Sequence, residues 1–145
     1  LAYKDEVMFI IYTYTIAGLA VIILTVLVQN IVAAVAHRKQ SSYVPGKVAE
    51  DLSHDSFVFR SHRTFHNSLE NVNQFIIPAI LCMFVGVTPL YLAILVWVYG
   101  LCRIVHMALY YAMATERNPS PRTYFYMIGL VTNLILYVLL FISLI

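Results

Sequence analysis

Four stretches of this chain, approximately residues 7–36, 58–86, 90–115 and 122–145, are long and apolar enough to cross a membrane as helices. The hydrocarbon core of a bilayer is roughly 30 Å thick, and a helix needs about 20 residues to span it. Composition agrees: 61% of the 145 residues are hydrophobic and only 11% charged, whereas soluble domains carry about 25% charge. The first stretch resembles a signal peptide only in its Ala34-Val35-Ala36 end. Its apolar run is about twice a usual signal core, and Lys4-Asp5-Glu6 is not a basic leader, so it reads as a retained helix. A net charge of +2, with basic residues near helix ends and no basic stripe, argues against a nucleic-acid partner. Cys82 and Cys102 both fall inside apolar runs, where a thiol behaves as a small buried hydrophobe.

The connections are short. A polar loop from His37 to Ser56 contains Pro45-Gly46 and three carboxylates, Gly86-Val87-Thr88-Pro89 is a tight turn, and Glu116-Arg117-Asn118-Pro119-Ser120-Pro121 joins the last two helices. Short connections predict an all-α, up-down antiparallel four-helix bundle, one domain over residues 1–145. Arg38, Lys39, Lys47, Arg60 and Arg63 lie in or beside the first loop and Arg117 and Arg122 in or beside the third, while the second loop carries no Lys or Arg. The positive-inside rule then places loops 37–57 and 116–121 in the cytoplasm. The membrane expected is a bacterial inner membrane or the endoplasmic reticulum.

Polar residues inside such helices are costly, about 2.5 to 3.5 kcal/mol for a charge at mid-bilayer, so their placement is informative. Arg60, Arg63, Asn67, Glu70 and Gln74 follow spacings of three and four on the second helix and share one face. Arg103, His106 and Tyr110 repeat that spacing on the third, and Arg122, Tyr126 and Asn133 continue it on the fourth, with Gly129 between them. Mutual pairing, with Glu70 held by Arg103 and the amides joining helices, explains part of this. Four arginines face one carboxylate on these stripes, however, and the surplus charge predicts an anionic small molecule at the cytoplasmic helix ends.

Arg63-Thr64-Phe65-His66-Asn67-Ser68-Leu69-Glu70 resembles the Arg-x-x-x-Asn-x-x-Glu signature of the MAPEG family, membrane-associated proteins in eicosanoid and glutathione metabolism. Arg103-Ile104-Val105-His106 with Tyr110 is similar to the third-helix motif of the family's prostaglandin E synthase branch, and Arg122-Thr123 with Tyr126 to the opening of its fourth helix. The resemblance implies a homotrimer with glutathione bound between subunits near the cytoplasmic side. It implies that Arg63, Asn67 and Glu70 hold the charged ends of the tripeptide, Glu70 taking the ammonium, and that Arg103, His106 and Tyr110 complete the pocket. By the same resemblance Arg38 adds a carboxylate contact, Arg60 and His66 belong to the cofactor site, and Arg122, Thr123 and Tyr126 serve the thiol. Phe65 and His66 depart from that branch, which has a histidine and an arginine there.

The function implied is a membrane-bound glutathione transferase that activates the thiolate for attack on lipophilic electrophiles reaching it through the membrane lipid, with reduction of lipid hydroperoxides as a related activity. Two other readings compete. A non-catalytic lipid-binding scaffold of the same family is disfavoured by retention of Arg63, Arg103 and Arg122. A haem-binding or metal-binding bundle would rest on His62, His66 and His106, yet His62 and His66 lie off the shared polar face, so no metal site is expected.

Overall fold

A computed structural model of the chain describes residues 10–145. Residues 7–9 of the expected first helix, and Lys4-Asp5-Glu6 before it, lie outside the described residues. The described chain forms four long helices: α1 (Thr13–Arg38), α2 (Phe57–Phe84), α3 (Pro89–Ala112) and α4 (Pro121–Ile142). α1 and α4 each pack against both α2 and α3.

Local chemistry sets the boundaries. Pro89 and Pro121 each open a helix at its first position, where a missing N–H costs nothing. α2 closes in a Schellman arrangement. Gly86 takes a φ of 78° and donates to Met83 O at 3.3 Å, while the Val87 N–H reaches Cys82 O at 3.0 Å. Ser120 begins α4 through a capping box, its own N–H donating to Thr123 Oγ1 at 3.1 Å. α3 ends at Ala112, three residues short of the expected 115, because Met113 turns extended (φ −112°, ψ 113°).

The ends of the bundle are tied in the antiparallel sense that the short loops predict. At one end the Tyr12 hydroxyl donates to Val87 O at 2.6 Å, fixing the start of α1 to the α2–α3 turn. At the other, His54 Nδ1 of the first loop lies 3.6 Å from Glu116 Oε1 of the third. Thus loops one and three share one end and loop two the other.

α1, α3 and α4 are long and apolar enough to cross a membrane, with mean hydropathies of 2.5, 1.9 and 2.3 in their most apolar windows. α2 departs from the expectation of four such helices. Its 28 residues would reach about 42 Å at 1.5 Å per residue, but Arg60, His62, Arg63, His66, Asn67 and Glu70 in its first half keep it below the others in apolarity. It still runs the full bundle, from the His54 end to the Val87 end. Its inward face, including Ser61, Thr64, Ser68, Val72, Phe75 and Ala79, is buried by its neighbours.

The core lies between the helices at the Val87 end and the middle. Phe75 stacks on Tyr99 with ring centroids 3.8 Å apart, and Ile22, Leu92, Val96 and Leu136 surround the pair. Gly18 lets α1 approach α3 closely, since a Cβ there would lie 2.6 Å from Val96 Cγ1. The outer faces of α1 and α4 expose Ile23, Leu24, Leu27, Leu134 and Val138, which suits contact with lipid.

Candidate functional site

The polar residues of α2, α3 and α4 meet near the His54 end of the bundle. Arg103 on α3 is only 6% exposed. Its Nη2 donates to Asn67 Oδ1 at 2.8 Å and Ser68 Oγ at 2.9 Å, both on α2. One turn further along α3, His106 is 4% exposed, and its Nδ1 is buried with no partner. Its ring lies 5.5 Å from that of Tyr110 and 6.4 Å from that of Tyr126 on α4. Tyr126 in turn lines a narrow cleft with Arg103, Asn71, Tyr99, Gly129 and Asn133, so the two helices present their stripes to one space.

Arg122 enters the cluster from the first turn of α4 and is 9% exposed. Its Nη2 donates to Thr115 O at 2.6 Å, and its guanidinium carbon stands 4.1 Å above the centre of the Tyr110 ring. A cation over an aromatic face contributes about 2 kcal/mol when desolvated. Nη1 of the same group is buried with no partner. Among the described residues neither Arg103 nor Arg122 has a carboxylate partner. Burying a guanidinium costs several kcal/mol unless it is well paired. Two guanidinium groups balanced only by neutral oxygens and a ring therefore leave a strongly positive cluster, in which Arg122 Nη1, His106 Nδ1 and, in the cleft beside Arg103, Asn133 Oδ1 are unclaimed.

Glu70 is elsewhere. It pairs with Arg63 on its own helix (Nη1 to Oε1, 3.2 Å), and both side chains are about half exposed. The expected partnership of Glu70 with Arg103 is not formed, for a geometric reason. Arg103 points at Ser68, and Glu70 lies about 200° around the helix from it, whereas residues seven apart fall within about 20° of each other. Arg60 is also drawn away. Nη1 donates to His54 O at 2.6 Å and Asp55 O at 2.9 Å, clamping the first loop onto the start of α2. Thr123 has its oxygen engaged by the Ser120 N–H in the helix cap.

Arg38 and His66 form a third group. They line a cavity of about 270 Å³ between the end of α1, the first loop and α2, together with His37, Tyr43, His62 and Phe65. His62 and His66 are close, their ring centroids 3.9 Å apart, and His66 Nδ1 donates to His62 O at 3.1 Å. That bond ties the His66 ring to the main-chain carbonyl of His62 within their own helix.

The model of the MAPEG family matches residues 14–142, which takes in the four helices but for Thr13 and every connection between them. The chain belongs to the MAPEG family. No curated protein and no solved structure matches it. As a MAPEG member it is a multi-pass integral membrane protein of glutathione metabolism, and enzymes of the family are glutathione transferases and peroxidases.

Within this MAPEG bundle the sequence motifs resolve into three spatial groups: a cluster of buried Arg103, His106 and Arg122 with half-buried Asn67, Tyr110 and Tyr126, the outward Arg63–Glu70 pair, and the Arg38–His66 cavity. Three participants escape a reading by stripes. Ser68 sits one residue off the polar face, yet it holds Arg103. The Thr115 carbonyl holds Arg122, and a main-chain oxygen leaves no mark in sequence. His54 in the first loop reaches the Tyr110 hydroxyl at 3.3 Å. A polar histidine just before a helix rich in arginine is a signal for the last of these, but not a specific one.

Proposed function

We propose that this MAPEG protein is a glutathione transferase whose Arg122 stabilises the glutathione thiolate for attack on a lipophilic electrophile. The observation that carries the reading is the buried, unpartnered Nη1 of Arg122, which with Arg103 flanks His106, neither arginine having a carboxylate partner among the described residues. A free thiol near pKa 8.5 is mostly protonated at neutral pH, and only the thiolate is a good nucleophile. A permanently charged, partly dry guanidinium favours the anion, and each unit of pKa depression corresponds to about 1.4 kcal/mol.

In the reaction the thiol proton passes to solvent. The sulfur lone pair then forms the bond to the electrophilic carbon, and the leaving group departs with its bonding electrons. Tyr126, across the ring of His106, is the better placed hydroxyl to assist, because the Thr123 oxygen already serves the helix cap.

The remaining roles follow the three groups. Asn67 orients Arg103; the Arg63–Glu70 pair offers a carboxylate to the glutamyl ammonium; Arg38 and His66 offer positive charge to a carboxylate. One copy of the chain presents these groups on different faces, which supports a homotrimer in which glutathione lies between subunits and each site draws on two chains. The surplus of Lys and Arg at the end shared by loops one and three supports entry of glutathione from the cytoplasm, in a bacterial inner membrane or the endoplasmic reticulum. The electrophile arrives from the lipid.

Thiolate absorbance on adding glutathione to purified protein tests the reading, with conjugation of a model aryl halide as the activity assay. Arg122→Ala is expected to bind glutathione without ionising it and to lose conjugation. Normal ionisation in that variant would refute the role of Arg122. Glutathione binding by the wild type without any conjugation would instead favour the non-catalytic scaffold.

A further inference from the structure

The end of the first loop and the start of α2 grip the C-terminal end of α3. The Arg60 guanidinium holds the His54 and Asp55 carbonyls through Nη1 and reaches Tyr111 O through Nη2 at 3.4 Å. Phe57 packs edge-on against the Tyr111 ring, with centroids 5.4 Å apart, and Phe59 meets the His54 imidazole edge-on at 4.9 Å. These contacts bring His54, its side chain only 20% exposed, against Tyr110: Nε2 lies 3.3 Å from the phenol oxygen. On the other side of the ring Nδ1 faces Glu116 Oε1 at 3.6 Å. A carboxylate only accepts hydrogen bonds, so Nδ1 carries the proton and Nε2 of the neutral ring is an acceptor. The phenol O–H of Tyr110 therefore donates to His54.

We propose that His54 is a positioning residue for Arg122, acting through the hydroxyl of Tyr110. This rests on the reading of Arg122 as the group that holds the thiolate, and it adds what aims that group. A guanidinium is a rigid planar fork of N–H donors. The hydrogen bond from Arg122 Nη2 to Thr115 O fixes one corner of the fork and leaves its plane able to pivot. The Tyr110 ring, 4.1 Å from the guanidinium carbon, stops the pivot and so sets the direction of the unclaimed Nη1. A tyrosine ring turns about two side-chain bonds of its own, and the bond from its hydroxyl to His54, at the far end of the side chain, fixes both. Donating that proton also leaves more electron density on the ring, which strengthens its attraction for the cation above it. His54 thus extends the site into the first loop, outside every polar stripe of the helices.

The test uses the detergent-purified full chain, with the thiolate of bound glutathione read by absorbance across pH and aryl-halide conjugation read as kcat and KM. His54→Leu occupies similar space but cannot accept the phenol proton. It is expected to leave about three- to tenfold less bound thiolate at neutral pH, and to lower kcat about tenfold or more while the KM for glutathione stays within about threefold. Tyr110→Phe keeps the ring and removes the donor, so it should reproduce both changes. Adding His54→Leu to Tyr110→Phe should then change little further, since the two residues act through one bond. His54→Gln, whose amide oxygen can accept the same proton, should recover most of the loss. A merely structural His54 predicts lower stability with normal thiol ionisation. Normal ionisation in His54→Leu or Tyr110→Phe, additive losses in the double variant, or no recovery in His54→Gln would overturn the positioning role and leave that of Arg122 standing. Should His54→Leu fail to fold, Tyr110→Phe and His54→Gln still decide. Normal ionisation in Arg122→Ala would overturn both.

Discussion

Arg103 is the most deeply buried cation of the cluster, and replacing it with Met separates its structural from its functional contribution. The side chain gains two hydrogen bonds to neutral oxygens, Asn67 Oδ1 and Ser68 Oγ, each worth about 1.5 to 3 kcal/mol when the donor is charged. Against this stands the desolvation of a guanidinium only 6% exposed with no carboxylate partner among the described residues, again several kcal/mol. The two nearly cancel. Met has similar reach and no charge to desolvate, so Arg103→Met is expected to unfold within about 1 kcal/mol of wild type in a reversible detergent denaturation. Ser68→Ala keeps the charge and removes one of its partners, so it should destabilise by about 1 to 3 kcal/mol. Glutathione affinity should order the variants the other way, with Arg103→Met weaker by tenfold or more, about 1.4 kcal/mol. Loss of more than about 3 kcal/mol of stability in Arg103→Met would refute the reasoning, because it would make the guanidinium a net stabiliser of the bundle and not a charge kept for a ligand.

Other outcomes follow from single contacts. Gly18→Leu forces side-chain atoms into Val96 and Trp97, where even a Cβ lies 2.6 Å from Val96 Cγ1, and should lower the melting temperature by separating α1 from α3. Tyr12→Phe removes the bond to Val87 O and should cost about 1 kcal/mol in the same denaturation assay, with transferase activity at permissive temperature retained. Glu70→Gln keeps shape but loses charge, and should weaken glutathione by about 1 to 3 kcal/mol. Glutathione lacking its amino group should then lose little further affinity, and an unchanged preference for the amine in Glu70→Gln would leave Glu70 a partner of Arg63 alone.

Much of the fold is legible because bilayer physics leaves few choices: long apolar runs become helices, and short loops make neighbours antiparallel. The boundaries agree within a few residues wherever a local device is visible, as at Pro89, Pro121 and Gly86. The end of α3 is missed because Tyr111, Ala112 and Met113 carry no breaker; what stops the helix is the extended segment that presents the Thr115 carbonyl to Arg122. α2 illustrates a different limit. A window of hydropathy counts Ser61, Thr64 and Ser68 against crossing the membrane, whereas packing hides them among the other helices; Arg63, Glu70 and Gln74 stay exposed on another face.

The candidate site was legible as residue types on faces but not as partnerships, and the reason is angular. A stripe read at 100° per residue groups side chains within about 80°, wide enough to include Arg60, which turns to the first loop, and Glu70, which turns outward to Arg63. It is also narrow enough to omit Ser68, whose hydroxyl completes the cage of Arg103. Periodicity identifies which face of a helix is polar; the neighbouring helix decides which residue on that face is used. The surplus of cation over carboxylate survives this sorting. Glu70, the one carboxylate on those stripes, is claimed by Arg63 on the outer face, so the buried arginines lack even the partner that the stripe offered them. The structure thereby strengthens the case for an external anion at the one point where it contradicts the expected pairing.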